Sequence, residues 1–446
     1  MDFINEIERL HQIIAEQAAI IEELKARLDR FENPKNSRNS SIPPSHDYTK
    51  PKRTKSLRTP SGKKPGGQPG HEGTTLEMTE NPNEIVAHKS NYCTCCGRDI
   101  SQMPSEFVEC RQEIVLPKIE PLVVEHQIFQ CTCACGHKNI SEFPSGVTPG
   151  ISYGENVESI AAYLNVRQYV PYRRMEEIFQ HIFNLPITEG TLVKAVNRVA
   201  KKAAHGYKLI RDRAEKANVN GGDETGMKIK GAKGWFWTIQ GQLFTYIMAS
   251  LNRSAKTLYD HFPKGFAFSV LVHDCWRCYF KIPALAHQIC LAHLLREFNH
   301  VEECYKSKWA TVFKQLLVET IAFKKTLHPE DYQKTLHQRT IFEKRLDELL
   351  REPLSQNFPI AVSLQDRLKK HKNHIFTFLY YADVPPDNNG SERAIRNIKV
   401  KQKISGQFKS INGAENFAII RSVIDTSIKN NLNPLHSLYQ INSIYL

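Results

Sequence analysis

Apolar side chains recur every seven residues at the start of the chain. Ile7, Ile14, Ile21 and Leu28 fall on one seam position; Phe3, Leu10, Leu24 and Phe31 fall on the other, with Gln17 as the polar exception. About four heptads of this kind commit residues 1–32 to a helix whose narrow apolar seam is completed by another helix. The pattern predicts a coiled coil and therefore a homo-oligomer, most simply a dimer. A single amphipathic helix laid on the chain's own domain would carry the same seam.

The repeat stops abruptly. Residues 33–75 contain almost no apolar side chains and are dense in Pro, Gly, Ser, Lys and Arg. Such a segment cannot bury enough surface to offset its ordering entropy. Residues 33–84 are therefore expected to be a basic, disordered linker, either simply solvated or lying along phosphates. The whole chain of 446 residues carries a net charge of +13. That excess suits a polyanionic partner, nucleic acid above all. No apolar run approaches the roughly 18 residues of a membrane span. The charged N-terminus lacks an apolar signal core, which predicts a cytoplasmic protein with no membrane partner. In that setting the 11 cysteines read as metal ligands or buried thiols rather than disulfides.

Seven of them cluster in residues 85–147. Cys93 and Cys96 form C-x-x-C followed by glycine; Cys133 and Cys135 form C-x-C followed by glycine, with Cys131 as a competing ligand. Two knuckles separated by the β-rich stretch "ECRQEIVLPKIEPLVVEHQIFQ" predict a zinc-ribbon-like domain, in which four thiolates around structural Zn2+ stabilise a unit without its own core. The alternative is a set of reduced, unmetallated cysteines. Residues 148–215 read as helices. "LPITEGTLVKAV" suits a helix-turn-helix with Thr188 as N-cap and Glu189 in the first turn, though plain helical packing explains the same pattern.

From residue 216 the period shifts to strands. "GWFWTIQGQLFTYIMAS" gives two alternating runs around Gly241-Gln242, a hairpin signal, and "FAFSVLVHDCW" gives an apolar strand ending at His273-Asp274. Residues 300–375 look wholly helical. Phe417, Ile420, Ile424 and Ile428 mark one core-facing side of a late helix.

Three acids stand out in this frame. Asp223 lies in "GGDETG", Asp274 at a strand end, and Glu392 at a helix start within "DNNGSERAIRNIKVKQK". Each has a plain alternative: a turn cap, a strand end, and an i,i+4 pair with Arg396. If they converge, two carboxylates about 4 Å apart repel by roughly 4 kcal/mol at an effective dielectric near 20. Such a cluster calls for protons or hard cations, Mg2+ or Mn2+. A two-ion site would serve in-line attack on a phosphodiester. Arg393, Arg396, Lys399, Lys401 and Lys403 would then hold the DNA strand.

The motifs, taken in order, resemble the insertion sequence 66 family of DDE transposases. The resemblance rests on "NSRNSSIPPSHD", "GGQPGHEG", "CTCCG", "CACG", "YGENVESIAAYLNVRQYVPYRRMEEIF", "ITEGTL", "DETG", "HDCWRCY", "CLAHLLREF" and "NNGSERAIRNIK", and it covers nearly the whole chain. It implies a multidomain α/β protein with a ribonuclease-H-like catalytic core at 216–400, a helical insertion at about 300–375 and a C-terminal helical segment at 401–446. It implies that Asp223, Asp274 and Glu392 are the catalytic acids, holding two Mg2+ or Mn2+ ions. Cys290 and His293 of "CLAH" match a C-x-x-H motif for which a structural role near the site is expected. The implied activity is cleavage at the terminal inverted repeats of an insertion element and joining of the freed 3′ ends to target DNA. It further implies a bacterial, nucleoid-associated setting and leaves room for accessory proteins of the element. Two departures are visible: "VKQKISGQFKS" replaces a "GRKN-W-F" stretch, with Phe408 in a comparable place, and the second knuckle is C-x-C rather than C-x-x-C. A non-catalytic DNA-binding regulator, or a stand-alone nuclease of the same fold, would share many of these features.

Overall fold

Alternation and a tight turn build the central sheet. Strand β3 (Val219–Ile229) turns through Lys230 and Gly231, both at positive φ, into β4 (Ala232–Gln240). Two consecutive residues at positive φ match the right-handed twist of the flanking strands. The loop that starts at Gly241 leads to β5 (Thr245–Ser250), as the sequence predicts. After α5 (Ala255–His261), β6 (Phe266–His273) and β7 (Ala284–Ile289) add on the other side of β3, parallel to it. The order is β5-β4-β3-β6-β7, with β3–β4 and β4–β5 antiparallel. A short strand β8 (Gln407–Phe408) pairs with the end of β3.

Helices cover this sheet. The first apolar cluster is built by α2 (Glu155–Ala162), a π-helical turn at Tyr163–Arg167, α3 (Tyr172–His181), α4 (Glu189–Lys216), α11 (Ile411–Lys429) and α12 (Pro434–Asn442). The second is built by α6 (Leu291–Tyr305), α7 (Lys308–Lys324), α8 (His337–Arg351) and α9 (Pro359–Lys370). Strand β6 serves both, because its side chains alternate: Leu271 joins the first cluster, and Val270 and Val272 join the second. Helix α10 (Asn389–Ser405) lies against β3 and β4.

Thr188 caps α4, its Oγ1 accepting the Thr191 N–H. The apolar stripe of α4 packs on α2 and α11, so the segment expected at 148–215 and the one expected at 401–446 share a core with the sheet. On α11, Phe417, Ile420 and Ile424 are buried, whereas Ile428 is half-exposed at the helix end. Arg421 is fully buried on the same helix. Its Nη2 lies 2.6 Å from Asp425, and its Nη1 donates to the Tyr169 hydroxyl at 2.9 Å. Arg421→Ala would strand the Asp425 carboxylate in the core, and a loss of about 3–5 kcal/mol is expected. Urea unfolding measures it; a midpoint unchanged from wild type would contradict the pairing.

The computed structural model describes residues 2–32, 62, 66, 68, 70–73, 75–144 and 147–443. Most of the expected linker, including 33–61, lies outside them. The chain divides into two units, Lys55–Pro121 and the remainder. Within the first, the Cys93–Cys96 knuckle is closed by Gly97 N–H donating to Cys93 O and Cys93 N–H donating to Arg98 O. In the remainder, β1 (Gln130–Thr132) and β2 (Lys138–Ile140) form a hairpin around Cys133–His137. The β-rich stretch expected between the knuckles is not found: residues 104–129 form no ladder, and Val108, Ile114 and Leu116 stand exposed. Alternation makes a strand only where a facing layer buries one side. Helix α1 (Asp2–Glu32) is exposed along its seam, from 43% at Ile7 to 86% at Phe31. Its apolar positions are thus not buried on the chain's own core. No helix among the described residues is long and apolar enough to cross a membrane.

Candidate active site

The paired glycines ahead of Asp223 are required by what packs on them. A Cβ on Gly221 would lie 2.6 Å from Gln240 Nε2 and Ser391 Oγ, and one on Gly222 would lie 2.8 Å from the Tyr279 ring. The bare backbone lets the start of α10 settle on β3. Asn388 Nδ2 donates to Gly222 O at 2.7 Å, and Ser391 Oγ bonds Asn388 Oδ1 at 2.7 Å. At the other end of α10, β8 pairs with β3 through Lys228 and Ile229. A helix of this length rises about 25 Å, close to the roughly 23 Å spanned by seven residues of strand. Helix α10 therefore runs along β3 and is tied to it at both ends.

That arrangement gathers the three acids. Gly221 is in register with Val272 at the last pair of the parallel β3–β6 ladder; Asp223 follows two residues on along β3, and Asp274 two residues on, just past the end of β6. Glu392 enters on the first turn of α10. Asp274 is 9% exposed. Burial and then the neighbouring charges of Glu224, Asp274 and Glu392 push the Asp223 carboxyl well above the usual range. Burial and the Glu224 charge push Asp274 up to about 7. Both sites thus favour a bound positive charge over a bare carboxylate. Glu392 is drawn to Arg296 on α6 at 3.1 Å, with His293 at 3.8 Å and Arg396 at 3.9 Å. The i,i+4 pair with Arg396 exists but is the loosest of the three, and Arg396 is 74% exposed. Among the described residues, no group of three or more His, Cys, Asp or Glu side chains is gathered closely enough to hold an ion as it stands.

The "CLAH" motif braces this corner. Cys290 is buried, and its Sγ accepts the Asn388 N–H at 3.1 Å; Leu291 N–H donates to Pro386 O at 2.8 Å. Burial raises the Cys290 thiol to about 12 and lowers His293 to about 3, so neither carries charge near neutral pH. They link the start of α6 to the segment that delivers Glu392.

The basic run of α10 divides by helix face. Arg393, Arg396 and Lys403 are exposed. Lys399 is half-buried and reaches Gly226 O at 3.4 Å; burial lowers its pKa and the Asp223 charge opposes that. Lys401 is only 6% exposed, with its ammonium 5.9 Å from the Phe417 ring centroid. It follows Ala394, Ile395 and Ile398 in the inward stripe of α10, so it is not presented to a strand at the surface. Sequence reasoning also passed over Glu224, Arg253, Arg296 and Tyr279. Strand alternation was the available signal for Glu224, since it places Asp223 and Glu224 on opposite faces of β3.

In the knuckles, the backbone N–H groups of Cys96 and Cys95 and the Cys96 thiol hold Cys93 below its ordinary value. The Cys135 N–H and thiol do the same for Cys133. Amide groups turned on a sulfur favour the thiolate, the form that binds metal.

Residues 150–416 match the family model described as transposase IS66 family. Residues 3–77 match a second model, described as a family of unknown function (DUF6444). No curated protein matches the chain.

Proposed function

The chain belongs to the IS66 family of transposases, and on that premise we propose that it is a metal-dependent DNA transposase with Asp223, Asp274 and Glu392 as its catalytic acids. Membership makes it a DNA-processing enzyme of transposition; the chemistry and the residues are the proposal. The observation that carries it is the placement of Asp223 on β3, Asp274 just past the parallel β6 and Glu392 on the first turn of α10, which packs against β3, with burial and mutual charge raising Asp223 and Asp274. The sheet order, a three-stranded antiparallel meander extended by two parallel strands, supports a ribonuclease-H-like reading.

The donors are carboxylate oxygens, which suit Mg2+ or Mn2+. Asp223, Asp274 and Glu392 would hold two such ions, with Glu392 leaving Arg296 to join them. When bound, the ions supply stabilisation of the attacking and leaving oxygens of an in-line displacement at phosphorus. The chain's own part is to fix the acids on β3, β6 and α10 and to offer Arg393, Arg396, Lys399 and Lys403 to phosphates. Lys401 takes no place in that set. The assay is nicking of element-end DNA with Mg2+, followed by joining of the 3′ ends to a target duplex. Metal-dependent nicking and joined products are expected; binding without nicking would leave a non-catalytic regulator, and nicking without joining a nuclease.

The exposed seam of α1 supports pairing of two copies through a coiled coil. The lowered Cys93 and Cys133 thiols support thiolate ligation of a structural Zn2+, with Cys93, Cys96, Cys133 and Cys135 as the ligands and Cys131 as the alternative at the second knuckle. Metal analysis of the purified protein checks this. One Zn2+ per chain is expected, lost in Cys93→Ser and Cys133→Ser and kept in Cys131→Ser. Loss in Cys131→Ser would reverse the assignment at the second knuckle.

A further inference from the structure

Glu224 is an unusual neighbour for Asp223. It is 7% exposed on the opposite face of β3, and all of its oxygens are already engaged. Arg253 donates to Oε1 through Nε at 2.9 Å and Nη2 at 2.6 Å, and Tyr279 donates to Oε2 at 2.6 Å. A carboxylate so occupied is not available as an additional ion ligand. Its two partners lead to the same place. The Arg253 guanidinium lies over Trp276 at 3.9 Å and over Trp235 at 4.7 Å, and the backbone N–H of Trp276 donates to Asp274 Oδ1 at 2.9 Å. The Tyr279 ring stacks on His273 at 4.9 Å and 22°, and His273 Nδ1 donates to Asp274 O. The residue before Asp274 and the residue two beyond it are thus each held by one partner of Glu224. Cys278 adds a contact from its Sγ to Arg253 O at 3.7 Å. Gly222 completes the arrangement by leaving room for the Tyr279 ring.

We infer that Glu224 is a positioning residue: gripped by Arg253 and Tyr279, it docks the 274–279 loop onto β3 and sets where the Asp274 carboxylate stands. Farther along, Phe280 stacks on His371 at 3.9 Å and the Tyr259 hydroxyl donates to Lys281 O at 2.6 Å, but the Glu224 contacts are the polar ones that tie residues 276 and 279 to β3. Strand β6 ends at His273, and beyond it only a short 3-10 turn at Tyr279–Lys281 intervenes before β7. Two donors of the planar Arg253 guanidinium converge on Oε1 while its face lies on Trp276, so Lys at position 253 keeps the charge but loses the second donor and the stacking plane. The inference rests on the reading of Asp274 as a member of the acid site, and its test separates the two.

Hydrogen exchange of the full-length protein, followed in peptides spanning 273–281, reads the docking without any metal. Tyr279→Phe and Arg253→Lys are expected to speed exchange in this peptide about tenfold or more while leaving peptides from α7 and α8 at native rates. Glu224→Ala should do so more strongly; should it fail to fold, the two milder variants carry the test. In the same proteins, Mn2+ binding followed by the free-ion paramagnetic signal is expected to weaken about 10–100-fold, the range for loss of a partner that orients a metal ligand. Native exchange rates in the 273–281 peptide for both mild variants would overturn the inference. Faster exchange, together with Mn2+ binding that even Asp274→Asn leaves unchanged, would uphold the docking role and instead remove Asp274 from a cation site.

Discussion

Asp223→Asn, Asp274→Asn and Glu392→Gln are each expected to lower Mg2+-dependent nicking of element-end DNA by about 10³-fold or more, a barrier increase of about 4 kcal/mol. The substitutions keep shape and remove charge, so they test the carboxylates and little else. The environment of the acids makes the result clean. Asp223 and Asp274 repel each other and Glu224 across a buried corner, and removing one charge relieves that repulsion. Asp223→Asn and Asp274→Asn should therefore fold at least as well as wild type; Glu392→Gln gives up the ion pair with Arg296, and the melts separate that loss from lost chemistry. Binding of element-end DNA should persist, because Arg393, Arg396 and Lys403 remain exposed along α10. A single-turnover cleavage assay with thermal melts on the same preparations decides it. Undiminished cleavage by any one variant would remove that residue from the mechanism.

The second large effect concerns pH. The Asp274 carboxyl is raised from 3.8 to about 7, so between those values the folded state binds more protons there than the unfolded state. Stability must then fall as pH rises through this window and level off above it. In Asp274→Asn that contribution is absent and Asp223, relieved of the Asp274 charge, is raised less, while groups remote from the acids are common to both proteins and cancel in the comparison. With divalent ions removed, Asp274→Asn is expected to exceed wild type in stability by about 2–4 kcal/mol at pH 8 and to match it near pH 4. The amide oxygen in Asp274→Asn can still accept the backbone N–H of Trp276, so the comparison isolates the charge. Adding Mg2+ should restore wild-type stability at pH 8 and do little at pH 5, where protons compete for the oxygens. Urea titrations across the range measure the difference, and a wild-type stability that rises steadily from pH 4 to 8 relative to Asp274→Asn would contradict the raised carboxyl.

How far the site could be read in advance follows from the range of each interaction. The positions of Asp223, on the first strand of the meander, and of Asp274, just past the end of β6, were legible because apolar alternation locates strands, and Thr188 because a cap acts within one turn. Glu392 was legible as a helix-start acid, but its partner Arg296 was not: the two meet only when α6 and α10 pack. The same holds for Glu224 with Arg253 and Tyr279, whose pairing depends on how β5, β6 and their loops cross. Lys401 was within reach of local reasoning. Its spacing after Ile398 places it in the buried stripe of α10, yet its charge drew it into the DNA-contact set. The strands expected between the knuckles show the converse. Alternation was present in residues 104–129, but no second layer covers it, and the apolar side chains remain exposed.

Titration of Mn2+ into the purified full-length protein, with and without element-end DNA, tests whether the acids hold ions together. Two Mn2+ per chain are expected in wild type, with at least one lost or strongly weakened in each of Asp223→Asn, Asp274→Asn and Glu392→Gln. Identical Mn2+ binding in wild type and in all three variants would show that these carboxylates do not form one cation site.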